Sequence, residues 1–229
     1  MGHLSAILLK VTVWALPVIF AVTLHEAAHG YAALALGDQT AKRMGRLSLN
    51  PLRHVDPFGT LILPGLLLAM GGVMFGWAKP VPVNFGKLKG GRLGMAAVAA
   101  AGPALNLVLA LAAAAALSLI QGMSADFARD WLRLNLANAI YFNLLLAVFN
   151  LIPIPPLDGG RIAVGLLPRP LAARLANLEQ AGMLILLGLL FALPLLGNAI
   201  GIDLDIFGRL LGGAVNWLWE RLLYIVGPW

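Results

Sequence analysis

No cysteine occurs among the 229 residues of this chain. A disulfide framework and a thiolate metal site are therefore excluded, and histidine, aspartate and glutamate remain as the strong ligands available to a metal ion. Charged residues are also scarce, at 11% of the sequence, whereas 60% of it is hydrophobic. This composition is typical of a polytopic membrane protein and lies outside the range of soluble domains.

The formal net charge is +6, from 16 basic and 10 acidic side chains. In a soluble chain such an excess would suggest nucleic-acid binding, but in a membrane protein basic cytoplasmic loops explain it. We therefore expect the chain to contact a lipid bilayer and no nucleic acid. A cleavable signal peptide is not expected, because the first residues, M-G-H-L, lack a basic region and no small-residue cleavage site follows.

The sequence H-E-A-A-H at residues 25–29 lies in an apolar stretch that predicts a helix over residues 4–36, ended by Gly37. Residues four apart share one face of a helix, so His25 and His29 can present two imidazoles to one metal ion. Glu26 stands beside them, within reach of a water molecule at the same ion. This spacing is typical of zinc hydrolases, and its apolar surroundings indicate zinc chemistry inside a membrane.

A catalytic zinc ion takes three protein ligands and keeps a fourth position for water, so the two histidines need a partner. Asp158 is the strongest candidate, because it follows a proline cluster that must unwind the end of a helix. The two glycines after it leave the backbone free to approach the metal. Alone, Asp158 could equally be a turn or cap residue. With the histidines, we predict one catalytic Zn²⁺ held by His25, His29 and Asp158.

Two basic segments, residues 38–56 and 79–92, flank an apolar run at residues 57–77. If that run crossed the bilayer, lysine and arginine would be divided about evenly between the two faces. If it enters and returns on one side, that face holds eleven of these residues and the other face holds three. The positive-inside bias favours the second arrangement, with a re-entrant segment and a cytoplasmic active-site face.

Further apolar stretches predict helices at residues 92–120, 134–151 and 177–196, with a polar outer loop at residues 121–133. The last stretch, residues 207–226, is either another span or an amphipathic helix at the interface.

The alanine-rich composition of residues 92–120 predicts close helix packing, and Asn106 and Asn143 are expected to make hydrogen bonds between helices. No repeat or second domain is visible. Residues 1–229 are therefore interpreted as one all-α integral-membrane domain.

Glu26 is expected to take a proton from the attacking water and to deliver it to the leaving amine. Asn150, one turn before the proline break, is placed to hydrogen-bond the substrate backbone or the developing oxyanion, although it can also serve helix packing. The unwound backbone at Pro153 and Pro155, together with residues 72–83, can offer groups to an extended peptide. A helical substrate must unwind before its amide bond is attacked.

These motifs resemble both signatures of the site-2 protease family, the intramembrane zinc metalloproteases. H-E-A-A-H matches the first, and N-L-I-P-I-P-P-L-D-G at residues 150–159 matches the second, which in that family supplies the third zinc ligand and a substrate-binding asparagine. The resemblance is to a compact prokaryotic branch without PDZ or CBS domains. It also runs through residues 45–51, 54–57, 75–84, 101–103 and 106.

The resemblance implies a three-helix catalytic core, a re-entrant element of β type after the first helix, and an active site nearer the cytosol. Together with the apolar stretches, it predicts about five to six transmembrane helices. It further implies a zinc endopeptidase of a prokaryotic inner membrane, which cleaves membrane proteins such as single-span or signal-peptide-like helices.

Two other functions would also place histidine and aspartate within apolar helices. A membrane metal-ion transporter should show repeated polar helices that form a path through both halves of the bilayer, but the sequence offers one site near one face and no repeat. A catalytically inactive zinc-binding relative is expected to lack the glutamate of the motif, whereas Glu26 is present.

Overall fold

The computed structural model describes residues 3–62 and 78–227, and this part of the chain is helical with no β-strand. A π-helical turn, Gly188–Ala192, joins two of the helices near the C-terminus. In chain order the α-helices are α1 (His3–Ala35), α2 (Thr40–Arg43), α3 (Gly91–Leu119), α4 (Phe127–Asn150), α5 (Asp158–Leu166), α6 (Arg169–Ala176), α7 (Glu179–Leu187), α8 (Leu193–Ala199) and α9 (Ile206–Val226).

Within the described residues, four stretches are long and apolar enough to cross a membrane. They are Val11–Ala35 in α1, Gly91–Gly122 at α3, the whole of α4, and Glu179–Ala199 through α7 and α8. The last helix, α9, carries Arg209, Glu220 and Arg221 and is not among them. The chain is thus an all-α polytopic membrane protein, with four such helices described against the five to six predicted.

The first helix ends where the sequence predicts. Gly37 has a φ of +100°, a conformation that glycine adopts without steric cost. Its N–H donates to the Leu34 carbonyl, and the Asp38 N–H donates to the Ala33 carbonyl. This pattern satisfies carbonyls that the end of the helix leaves without partners.

The predicted outer loop at residues 121–133 is wrong in its second half, because α4 begins at Phe127. Asp126 has extended backbone angles, and its carboxylate accepts a hydrogen bond from the Arg129 N–H at 2.9 Å. An aspartate cap of this kind starts a helix before its apolar pattern begins. Only a 3₁₀ turn, Ile120–Gly122, and a few irregular residues therefore separate α3 from α4.

Helices α1, α3 and α4 pack against one another and form the centre of the molecule. Ala110 and Ala114 of α3 are fully buried against Ile140 and Leu144 of α4, and α9 contributes Val215 to the same cluster. The small alanine side chains allow the helix backbones to approach closely, which confirms the packing predicted for α3.

A proline in α1 helps to set how it packs against α4. Pro17 has no N–H, so the carbonyl of Val13, four residues earlier, lacks its usual partner within the helix. The side-chain amide of Asn138 in α4 donates to that carbonyl at 2.9 Å. A free carbonyl in an apolar layer is costly, so this bond favours one position of α4 along α1.

The two basic segments lie at the same end of the molecule, as predicted. The Lys79 N–H donates to the His54 carbonyl at 2.8 Å, and the Arg46 guanidinium donates to the Lys79 carbonyl at 3.0 Å. Between them, Asp56 caps a short π-helical turn, Pro57–Ile62. The remainder of the predicted re-entrant run, residues 63–77, lies outside the described residues.

Candidate metal centre

Three buried side chains from two distant parts of the chain meet at one point. His25 and His29 project from one face of α1, and Asp158 is the first residue of α5, reached through the break that ends α4. The two Nε2 atoms are 3.1 Å apart, and Asp158 Oδ2 lies 3.1 Å from His25 Nε2 and 3.2 Å from His29 Nε2. The exposed fractions of His25, His29 and Asp158 are only 6%, 9% and 7%.

The spacing of these three atoms suits a zinc ion. Ligands at the usual 2.0–2.1 Å from a tetrahedral zinc ion are about 3.3 Å from one another. The observed triangle is within about 0.2 Å of that value. In the described part of the chain, this is the one group of three His, Asp or Glu side chains close enough to share an ion.

The other ring nitrogens determine which atoms remain available for a metal. His25 Nδ1 lies 2.5 Å from the side-chain oxygen of Asn106, and His29 Nδ1 lies 2.8 Å from the Val98 carbonyl. Both partners are acceptors, so each neutral ring carries its proton on Nδ1 and a lone pair on Nε2. With both rings neutral, three lone pairs face one another, and a bound cation removes their repulsion.

Helix α3 lies directly against the two histidines because it has no side chain at Gly102. A Cβ atom at Gly102 would lie 2.5 Å from His29 Nε2 and 2.7 Å from His25 Nε2. Real Cβ atoms essentially never approach other atoms so closely. Only glycine therefore lets α3 lie against both ligand candidates.

Asn106, one turn after Gly102, is fully buried and touches the site. Its amide nitrogen donates to the side-chain oxygen of Asn143 at 2.7 Å, which confirms the predicted hydrogen bond between helices. Its contact with His25 was not predicted. The signal available in the sequence was a polar amide within an otherwise apolar, alanine-rich helix.

Glu26 lies beside the triangle and has a partner of its own. Its half-buried carboxylate accepts a hydrogen bond from the backbone N–H of Val81 at 2.8 Å. The Val81 side chain packs onto α1 at Gly30, where a Cβ would lie 3.0 Å from Val81 Cγ1. The segment at residues 79–83 therefore lies against α1 at Glu26 and Gly30.

The proline loop between α4 and α5 packs closely against the two glycines that follow Asp158. Their predicted part, to let the backbone approach the metal, stays a prediction. A Cβ at Gly159 would overlap the Leu151 carbonyl, and one at Gly160 would overlap Pro155. The two glycines are needed because the loop folds back onto the first turn of α5.

The predicted substrate residues lie in and before this loop. Asn150 ends α4, and its side-chain nitrogen donates to the Leu146 carbonyl of the same helix at 3.0 Å. The structure gives Asn150 no hydrogen bond to the triangle among its described contacts, so its catalytic role stays a prediction. Pro153 and Pro155 lie in the turns after Asn150, and a Cβ at Gly182 of α7 would overlap the Pro155 carbonyl.

Arg92 of α3 holds the far end of the helix that carries Asp158. Its guanidinium donates to the carbonyls of Val164, at 2.6 Å, and Leu167, where α5 ends. A cation at a C-terminal helix end satisfies orphan carbonyls and interacts favourably with the helix dipole. The negative Asp158 lies at the opposite, positive end of the same dipole.

Comparison with known proteins gives consistent results. The family model described as peptidase family M50 matches residues 125–193, a range that includes Asn150 and Asp158. YwhC of Bacillus subtilis (strain 168), named as a zinc metalloprotease, is 42% identical over 188 residues, which cover 77% of this chain and 78% of the relative.

Two mycobacterial proteins, both named as zinc metalloproteases and both called Rip2, are also similar. Rip2 of Mycolicibacterium smegmatis is 32% identical over 195 residues, covering 83% of this chain and 69% of the relative. Rip2 of Mycobacterium tuberculosis (strain H37Rv) is 32% identical over 184 residues, covering 80% of this chain and 68% of the relative. No solved structure matches the chain at a significant level.

Proposed function

Because this chain belongs to peptidase family M50, the site-2 protease family of zinc metalloendopeptidases, we propose that it hydrolyses peptide bonds in or near transmembrane segments of other membrane proteins. The observation that carries this proposal is the buried triangle of His25, His29 and Asp158 between helices apolar enough to span a membrane. A hydrolytic centre with such surroundings is suited to substrates that lie in the bilayer.

In this proposal, His25, His29 and Asp158 hold one Zn²⁺ ion. Bound zinc supplies Lewis acidity, which lowers the pKa of a water molecule and polarises the scissile carbonyl. The side chains fit this role because their three ligand atoms converge and the other ring nitrogen of each histidine already has a hydrogen-bond partner. Asn106 and the Val98 carbonyl hold the two imidazoles in the orientation that the role requires.

Glu26 acts as the general base and then as the general acid. Its Oε2 accepts the Val81 N–H, which fixes the carboxylate and leaves Oε1 for the proton of the attacking water. The same oxygen later gives that proton to the nitrogen of the leaving amine. Asn150 hydrogen-bonds the substrate backbone or the developing oxyanion, once its amide leaves the Leu146 carbonyl.

The substrate in this proposal is a single-span or signal-peptide-like helix of a membrane protein, and the lipid bilayer delivers it. Pro153 and Pro155 line its path in the unwound loop after α4. The basic segments gather at the end of α1 that carries the motif, which supports a cytoplasmic position for the site. The enzyme then resides in a prokaryotic inner membrane as one domain and binds no nucleic acid.

A membrane metal-ion transporter is the alternative from another class. Such a protein needs successive sites through both halves of the bilayer. Among the described residues one metal-binding group is present, at one end of the helix bundle, and this does not favour transport. An inactive zinc-binding protein is likewise not favoured, since Glu26 is present and positioned beside the triangle.

The test is a cleavage assay with purified protein in liposomes and a panel of single-span substrates. The unmodified chain should cleave some of them, lose activity to a chelator and regain it with zinc. Glu26→Gln should abolish cleavage while zinc stays bound, and Asp158→Ala should lose zinc by orders of magnitude. Glu179→Gln, at an exposed glutamate, is the matched control and should behave like the unmodified chain.

Two results would overturn parts of the proposal separately. Continued cleavage by Glu26→Gln would remove the general-base role. Cleavage of unfolded soluble peptides, with every membrane-embedded substrate left intact, would remove the intramembrane action while leaving a zinc protease.

A further inference from the structure

A row of three buried polar side chains crosses the helix core from α4 to the metal centre. Asn143 Nδ2 donates to the Ala139 carbonyl at 2.8 Å, Asn106 Nδ2 donates to Asn143 Oδ1 at 2.7 Å, and His25 Nδ1 meets Asn106 Oδ1 at 2.5 Å. The exposed fractions of Asn106 and Asn143 are 0% and 4%. The row therefore joins α4, α3 and α1 out of contact with solvent.

The direction of every hydrogen bond in this row is determined by one main-chain group. A carbonyl can only accept, so Asn143 must turn its nitrogen toward Ala139 and its oxygen toward Asn106. Asn106 must then turn its nitrogen toward Asn143 and its oxygen toward His25. The Ala21 carbonyl, 3.4 Å from the same nitrogen of Asn106, favours the same orientation.

The result at the end of the row is a choice of tautomer. Facing an oxygen, His25 Nδ1 must carry the proton, which leaves the lone pair on Nε2, the atom that points into the triangle. If Asn106 were turned over, its NH₂ group would face Nδ1 and favour the other tautomer. That tautomer places a proton on Nε2, where it excludes a metal ion.

The second histidine is held in the same tautomer by one hydrogen bond to the main chain. His29 Nδ1 meets the Val98 carbonyl directly at 2.8 Å, and that acceptor cannot turn over. His25 has no main-chain acceptor in this position and depends on two side-chain amides instead. The two ligand candidates therefore differ in how sensitive they are to side-chain substitution.

We infer that Asn106 and Asn143 form a positioning relay, in which Asn143 fixes the orientation of Asn106 and Asn106 fixes the tautomer of His25. The inference rests on the zinc ligands of the proposed function but not on its reaction. The described hydrogen bonds of Asn143 go to Asn106 and Ala139 and not to His25 or the triangle, so Asn106 is the hydrogen-bonded path by which Asn143 can affect zinc affinity.

A purely structural role for the two asparagines makes a different prediction. Buried amides often act only as hydrogen bonds between membrane helices. Asn138 provides a matched control of that kind, since it lies on α4 and donates to the Val13 carbonyl of α1 without joining the relay. If the amides served only as contacts between helices, Asn138→Leu and Asn143→Leu should change zinc affinity to the same extent.

The experiment measures zinc affinity by competition with a chromophoric chelator, on purified protein in detergent. Asn106→Leu and Asn143→Leu should each weaken zinc binding, by about 10- to 100-fold for an outer-shell partner of a ligand. Asn138→Leu should stay within about twofold of the unmodified chain, as expected of an uncoupled distant site. Asn143→Asp should restore most of the affinity, because a neutral carboxylic acid offers one O–H donor and one carbonyl acceptor in the same order.

A second measurement reads the tautomer directly, without activity and without bound zinc. In protein labelled with ¹⁵N in its imidazoles, the His25 signals are identified by their loss in His25→Gln. The unmodified chain should show a proton on His25 Nδ1, whereas Asn143→Leu should show a mixture of both tautomers. This spectrum remains informative if Asn106→Leu does not fold.

Equal zinc affinity of Asn143→Leu and Asn138→Leu, with an unchanged His25 tautomer in both, would overturn the relay. Failure of the unmodified chain to bind zinc would instead overturn the proposed function. In that case the zinc-free spectrum would still decide whether the asparagines control His25.

Discussion

The carboxylate of Glu26 accepts a hydrogen bond from the backbone N–H of Val81 at 2.8 Å, although the two residues are 55 positions apart. Val81 stands between Pro80 and Pro82, which have no N–H, so it supplies the one backbone donor of this tripeptide. This segment thus directs a donor from a distant part of the chain at the proposed general base.

Removal of this donor should slow the reaction without releasing zinc. Val81→Pro deletes the N–H in a segment that already has a proline on each side of this position. A hydrogen bond to a charged group contributes about 1.5–3 kcal/mol, so we expect kcat/KM to fall about 10- to 100-fold. Val81→Ala retains the N–H and should remain within severalfold of the unmodified chain. Equal losses in the two variants would assign the effect to side-chain packing.

Gly102→Ala should disable the metal centre although no proposed ligand is substituted. The new methyl group would lie within 2.7 Å of both Nε2 atoms, so either α3 must move away or the imidazoles must turn. We expect zinc content after dialysis to fall to background while far-ultraviolet circular dichroism stays helical. Gly212→Ala in α9, where a Cβ meets no atom within 4 Å, is the control and should keep its zinc. Normal zinc affinity in Gly102→Ala would contradict the packing described here.

Acid should destabilise the loop after α1 through Asp38. Burial alone would raise the pKa of Asp38, but hydrogen bonds from Thr40 and from the Asn84 N–H hold it below its ordinary value of 3.8. Lys87 acts in the same direction. The stabilisation is therefore complete above the unfolded-state pKa and is lost as the pH falls through the lower, folded-state pKa.

This pH dependence can be measured as the difference in unfolding temperature between the unmodified chain and Asp38→Asn. The difference should be constant from about pH 7 to pH 5 and should shrink below about pH 4. Thr40→Val removes one donor, which raises the folded-state pKa, so the pH-dependent part of the difference should be smaller and its loss should be complete at a higher pH. A difference that is independent of pH would show that the charge of Asp38 contributes nothing.

Site-specific labelling should place both basic segments on one side of the membrane. The chain has no cysteine, so single cysteines at Lys42, Lys87 and Ser124, all exposed, need no prior removal of native thiols. An impermeant maleimide should label Lys42→Cys and Lys87→Cys from the cytoplasmic side and Ser124→Cys from the other side. Labelling of the first two from opposite sides would mean that the run between them crosses the bilayer.

The part of the site that the sequence predicts is the part that depends on local geometry. His25 and His29 share a face because they are four residues apart in one helix. Asp158 could be predicted because prolines end α4 at a position that the number of spans brings to the same face. Each of these inferences needs only the path of the chain and no knowledge of how side chains pack.

The contacts that the sequence did not predict depend on packing between helices. Gly102 and Asn106 meet the histidines because α3 lies against α1 at one particular rotation and one particular position along the helix axis. The hydrophobic periodicity of an apolar, alanine-rich helix does not encode that arrangement. The start of α4 was missed for another reason. Asp126 caps the helix from within a polar stretch, whereas the start of the helix was predicted from the hydrophobic pattern alone.

The proposed third ligand stands 133 positions after the first, with α3 and α4 between them. While the chain is still being synthesised and inserted, His25 and His29 can already sit in the membrane, but a two-ligand site holds zinc weakly. More than half of the protein must leave the ribosome before Asp158 can join them. In the proposed function, a copy that ends before Asp158 lacks one of the three zinc ligands. The order of the residues along the chain therefore delays completion of the metal centre until most of the protein has been made.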